Sequence, residues 1–195
     1  MEEKIHEHLN GGVANLTQEE KETLLKIARE TLKSYLQDRR LPDFAIDSAT
    51  LKEKRGAFVT LNTKQGDLRG CIGFIEGFKP LWETVREMAL SAALNDPRFP
   101  PVSLKELEEL TIEISVLSPL KKITDISEIV VGKHGIVLRR GFYSGLLLPQ
   151  VATDYGWTRE EFLEHTCLKA GLPPNAWADQ QTQISIFSAD VFGEK

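Results

Sequence analysis

Cysteine is scarce in this chain, with two in 195 residues. That excludes a disulfide framework and points to a reducing setting. No Cys-x-x-Cys and no His-x-x-x-His occurs, so no metal site is expected. Long apolar runs are also missing. Nothing approaches the roughly 20 residues that span a bilayer, so no membrane association is expected. The first residues, Met1-Glu2-Glu3-Lys4-Ile5-His6, lack a basic region followed by an apolar one, and a cytoplasmic location is expected. Basic blocks are absent, Arg139-Arg140 being only a pair, and the formal net charge is −5. That balance argues against nucleic acid as a partner. Walker loops, Gly-x-Gly-x-x-Gly and Gly-x-Ser-x-Gly elbows are all missing, and no cofactor is expected.

What is present is an ordinary folded domain: 41% hydrophobic and 27% charged residues, enough to bury a core. Residues 1–15 read as a flexible tail broken by Asn10-Gly11-Gly12, and residues 16–195 as one domain. Thr17 with Glu20 forms a capping box that opens a helix, whose apolar positions Leu24, Leu25, Ala28, Leu32, Tyr35 and Leu36 share one stripe. Pro42 is expected to stop it, and 41–55 to be loop. A second helix begins at Lys79-Pro80 and buries Leu81, Val85, Met88, Ala89, Ala92 and Ala93. Ser103 and Glu106 cap a short helix, Leu104 to Leu110. Residues 111–118 then alternate as a strand, with Ile112, Ile114 and Val116 facing one way. A hairpin over 135–148 turns at Gly141, a helix runs from Thr158 to Gly171, and Gln183–Ser188 closes the chain as a strand running on towards Phe192. Hairpins without strict βαβ alternation predict an α+β fold with a mostly antiparallel sheet flanked by helices. The proline loop 96–101 and the poorly patterned 119–134 are the expected seams between a main lobe and a smaller one.

The chain is organised around Gly56–Gly73, GAFVTLNTKQGDLRGCIG, which reads as two strands about a turn at Gly66. On the return strand Arg69, Cys71 and Gly73 share one face, and Leu68, Gly70 and Ile72 the other. A thiolate is the nucleophilic form of cysteine, and a free thiol has a pKa of about 8.5. Arg69, two residues away on the same face, is expected to favour the thiolate of Cys71. Gly70 and Gly73 are expected to let a ligand approach the backbone. The competing reading makes Cys71 a small buried hydrophobe in a central strand. Cys167, beside Leu163 and Ala170 on a helix, reads as core. His134, ahead of Gly135, is a candidate general base or a turn residue. Arg98, between prolines, is a candidate anion binder, and Gln150 completes the candidate groove.

The segment Leu68-Arg69-Gly70-Cys71-Ile72-Gly73 resembles the hallmark of the AMMECR-domain family, called AmmeMemoRadiSam system protein A in prokaryotes. The resemblance extends through Asn95-Asp96-Pro97-Arg98-Phe99-Pro100-Pro101-Val102, Gly132-Lys133-His134-Gly135-Ile136, Ser144–Ala152 and Thr166–Pro174, about residues 16–192 in all. It implies a two-lobed α+β fold, with the hexapeptide near the groove between the lobes. It also implies association with a Memo-like protein and a radical SAM protein. The family carries over no established catalytic residue. Two functions follow: an enzyme or small-molecule-binding component of that modification system, acting around Arg69-Gly70-Cys71, or a non-catalytic accessory protein that binds those partners.

Overall fold

The computed structural model describes residues 16–194. The expected tail, 1–15, lies outside the described residues. Two four-stranded antiparallel sheets form two lobes, each backed by its own helices.

The first sheet has the order β2-β1-β3-β8, with β1 Ala57–Thr63, β2 Leu68–Phe74, β3 Leu110–Leu117 and β8 Ala189–Gly193. The turn between β1 and β2 places Gly66 at φ 92, a conformation that glycine adopts without steric cost. One face of this sheet is covered by α1 (Gln18–Asp38) and α3 (Leu81–Leu94). Val59, Leu61, Ile112, Ile114 and Val116 of the strands pack there against Leu24, Ile27, Ala28 and Leu32 of α1 and Met88, Ala89 and Ala92 of α3. The alternation that predicted β3 is therefore that of a helix-covered face and an opposite face that is open at Thr111 and Glu113 and buried again at Ser115 and Leu117. Full burial of a leucine- or isoleucine-sized side chain contributes roughly 1.5–3 kcal/mol, so this layer dominates the stability of the lobe.

Helix α1 opens with both bonds of its capping box, Glu20 N to Thr17 Oγ1 at 3.2 Å and Thr17 N to Glu20 Oε2 at 2.9 Å. It ends ahead of Pro42, at Asp38, because Arg39 takes a left-handed conformation at φ 58. The 41–55 loop contains a short helix, α2 (Ala49–Lys52), capped by Ser48. The helix expected over 104–110 is only α4 (Leu104–Leu107), because Leu110 is already paired in β3 opposite Thr63.

The second sheet has the order β4-β7-β5-β6: β4 Lys121–Ile123, β7 Gln183–Phe187, β5 Gly135–Arg140 and β6 Tyr143–Leu147. Helices α5 (Pro149–Asp154) and α6 (Arg159–Lys169) back it, and Ile136, Leu147, Phe162, Leu163, Ile184 and Ile186 form its core. Cys167 is fully buried in this lobe, as expected, and burial pushes its thiol up.

The closing strand is two strands in two sheets. It changes sheet at Ser188, whose amide donates to Ser118 Oγ and whose carbonyl accepts from Ser118 N, both at 2.9 Å. The two chain crossings thus meet at Ser118 and Ser188. Leu117, Val137 and Phe187 are buried between the lobes, with Phe58, Leu146 and Leu148 against them. Of the two expected seams, the one at the start of 119–134 is real. The proline loop is not a seam; it belongs to the first lobe and lies along the edge of β2.

Candidate functional site

Strand β2 is an edge strand, so alternate residues direct their backbone groups away from β1. Cys71 is one of these: its amide donates to Asp96 Oδ2 at 2.8 Å. Thr60, opposite Cys71, is consequently in a non-hydrogen-bonded pair, where side chains approach most closely. The Thr60 hydroxyl donates to Cys71 Sγ at 3.1 Å. The thiol is half-buried, on the face of the sheet opposite the helices.

Asp96 is the hub of this edge. Its side chain is 2% exposed and also accepts from Arg98, through N at 3.1 Å, Nε at 2.9 Å and Nη2 at 2.6 Å. Hydrogen bonds from the Arg98 side chain, followed by the amides of Cys71 and Arg98, hold this carboxyl well below the usual carboxylate range against the opposing effect of burial. Arg98 is raised in turn, chiefly by its hydrogen bonds to Asp96 and against the opposing effect of burial. Arg98 Nη2 reaches the Cys71 carbonyl at 3.4 Å. One Asp-Pro-Arg turn therefore meets both the amide and the carbonyl of Cys71, and the stiff proline fixes it there.

The cation that reaches the backbone of Cys71 is Arg98 and not Arg69. Arg69, 12% exposed, turns to Glu106 (Nε to Oε1, 2.5 Å; Nη2 to Oε2, 3.2 Å) and to the Pro100 carbonyl (2.8 Å). The same Glu106 closes the capping box of α4 with Ser103, so Arg69 ties that helix to the strand edge. Phe99 lies between the two arginines, its ring centre 5.6 Å from Arg69 Cζ and 5.5 Å from Arg98 Cζ.

The two glycines serve packing rather than ligand approach. A Cβ on Gly70 would stand 2.2 Å from the Ala92 carbonyl oxygen of α3, and one on Gly73 would stand 2.3 Å from the Phe58 ring. The missing side chain lets α3 come close at Gly70 and leaves room for the Phe58 ring of the neighbouring strand β1 at Gly73.

Gln150 sits elsewhere along the same face, at the start of α5, in a groove of about 440 Å³ between the lobes. Glu113, Lys133, Asp154 and Val191 line this groove with it. His134 does not line it. Its Nδ1 lies 3.2 Å from the Val130 amide and 3.1 Å from the Glu128 carbonyl, so the ring closes the loop that carries Lys133. Burial lowers its pKa from the ordinary 6.5. The structure thus unites Cys71 with Arg98, assigns Arg69, Gly70 and Gly73 to packing, places Gln150 across the lobes and makes His134 a turn residue.

Sequence reasoning missed Thr60, Asp96 and Glu113. Register was the available signal: Thr60 pairs with Cys71 on one side and Glu113 on the other, giving one cross-strand row on the uncovered face. Cys71 and Glu113 stand two strand spacings apart, about 10 Å.

These features define a two-lobed α+β protein with a thiol on an edge strand and a groove along the adjoining face. Comparison with known proteins matches the AMMECR1 family over residues 25–192, and the chain belongs to that family. It is 48% identical to Protein MK0488 of Methanopyrus kandleri over 188 residues, covering 92% of this chain and 91% of the relative. With Protein MJ0810 of Methanocaldococcus jannaschii it shares 44% identity, covering 92% of each. The crystal structure of the uncharacterized protein PH0010 from Pyrococcus horikoshii superposes with a TM-score of 0.82 at 43% identity, covering 89% of this chain and 91% of that one. Among the described residues no helix is long and apolar enough to cross a membrane.

Proposed function

We propose that this AMMECR1-family protein is an enzyme or small-molecule-binding component of a modification system, acting on the uncovered face of the first sheet with Cys71 as its nucleophile. The partners in this reading are a radical SAM protein and a Memo-like protein, and the setting is the cytoplasm. One observation carries it: a half-buried thiol accepts a hydroxyl hydrogen bond from Thr60 and has Arg98 at its own carbonyl, on a face without helix cover. In a transfer step Sγ bonds to an electrophilic carbon, the leaving group departs with the electron pair of the broken bond, and the thiol proton passes to water.

Iodoacetamide labelling of the native protein, read by peptide mass spectrometry, tests this. Cys71 is expected to label in the folded state and more slowly in Arg98→Gln, with Cys167 labelling only after unfolding. A Cys71 that stays unlabelled until denaturation overturns the thiol reading.

The second reading, a non-catalytic accessory protein, is favoured by the packing duties of Arg69, Gly70 and Gly73. It predicts that Cys71→Ala captures the radical SAM or Memo-like partner as well as wild type does.

A further inference from the structure

The groove between the lobes holds charge of both signs. Glu113 projects from β3 on one wall; Lys133, Gln150 and Asp154 come from the second lobe on the other. Among the described residues, none of these four side chains makes a hydrogen bond or ion pair. Ion pairs form readily elsewhere on the molecule, as between Lys21 and Asp190 and between Arg140 and Asp179.

Glu113 is the unusual member, a half-buried carboxylate on a strand. Pro149, Ala189 and Val191 supply an apolar floor beside it. At about 440 Å³ the groove is within the range of small-molecule sites.

A purely anionic ligand would meet two carboxylates here, and a purely cationic one would meet Lys133. A small molecule with an ammonium at one end, a carboxylate at the other and an apolar body satisfies all of these groups together. We propose that the groove binds a free amino acid with an apolar side chain, its ammonium on Glu113, its carboxylate on Lys133 and its side chain on Val191 and Ala189. Gln150 offers an amide to the bound carboxylate, and Asp154 a second acceptor to the ammonium. The inference names a ligand class for the face on which the thiol reading places its chemistry, yet binding itself requires nothing of Cys71.

Saturation-transfer NMR with L-leucine, L-methionine and L-phenylalanine on the full chain tests it. At least one is expected to bind, and its N-acetyl and C-amide derivatives are expected to fail. Glu113→Gln and Lys133→Gln should each weaken binding about tenfold, the scale of a charged hydrogen bond. Lys122→Gln, an exposed change on β4, should leave it unaltered. Melting curves of the two groove variants establish that they are folded. No binding of any of the three amino acids by wild type, or undiminished binding by folded Glu113→Gln, overturns the proposal. Binding with an unreactive Cys71 removes the thiol chemistry and keeps the groove; a reactive Cys71 without binding does the reverse.

Discussion

The Asp96 carboxylate accepts the Cys71 amide at 2.8 Å, so a turn 25 residues further along the chain determines how the thiol strand presents its edge. An exposed edge strand is a template for unwanted pairing. Here the amide and the carbonyl of Cys71 are both met by the Asp96–Arg98 turn, which blunts the edge at the residue that carries the thiol.

Asp96→Asn should therefore destabilise the protein by about 2 kcal/mol at pH 7, since it weakens a buried charged acceptor with several donors. Arg98 supplies the leading donors to this carboxylate, and because its side chain is 53% exposed their contribution is reduced by solvent screening. The pH dependence has a definite sign. The folded-state pKa of Asp96 lies below its ordinary 3.8, so its contribution is full above that value and is lost as pH falls further. Urea unfolding of both proteins should show a gap that narrows below about pH 4. A gap that is constant down to pH 2.5 would contradict the role given to Asp96.

Gly70 and Gly73 both lack space for a methyl group, but for different reasons. The obstacle at Gly70 is the backbone carbonyl of Ala92 alone, and at Gly73 it is the Phe58 ring at 2.3 Å together with the backbone carbonyl of Ala57 at 2.5 Å. Gly70→Ala should cost about 3 kcal/mol, at the upper end of overpacking, and lower Tm by roughly 6–12 °C. Phe58→Ala should relieve the ring contact of Gly73→Ala and leave the contact with the Ala57 carbonyl, a small partial rescue, whereas no single side-chain truncation should rescue Gly70→Ala. Differential scanning calorimetry of the two glycine variants, each alone and each combined with Phe58→Ala, decides it; equal rescue at both positions would refute the distinction.

Element existence was legible in this chain wherever periodicity and caps agreed. The capping boxes at Thr17, Ser103 and Thr158 all form, and the 3.6-residue stripes of α1 and α3 become the cover of one sheet. The sheet change at Ser188 was not legible, because Gln183–Phe192 alternates as one strand and only tertiary pairing divides it. Cys71 and Arg98 could be singled out by residue type. Their relationship could not, since Arg69 is nearer in sequence and only the structure shows it bound to Glu106. Glu113 was hidden for a related reason: an alternating strand shows which face a carboxylate takes, but not what lies across the groove from it.

Thr60 provides a direct test of the sulfur's surroundings. Thr60→Val keeps shape and removes the hydroxyl that donates to Sγ. A neutral hydrogen bond is worth about 1 kcal/mol, so alkylation of native Cys71 at pH 7 should slow by roughly fivefold. Thr60→Ser should alkylate at close to the wild-type rate. Equal rates in all three proteins would mean that the hydroxyl does not support charge at sulfur.

His134 should make a separate contribution to pH dependence, at higher pH than Asp96. Burial is the main cause of its lowered pKa, assisted by the charges of Lys133 and Lys121 and opposed by Glu128. Because the folded-state value is below the ordinary 6.5, the unfolded chain takes up the proton first as pH falls. Stability from this group is full above that value and declines as pH drops through the folded-state value. Protonation also removes the acceptor that Nδ1 can offer the Val130 amide, loosening the loop that carries Lys133. His134→Gln keeps an acceptor and a donor without titrating. The urea midpoint of wild type should fall between pH 7.5 and 5, and that of His134→Gln should fall less. Parallel declines would show that His134 does not couple its protonation to this loop.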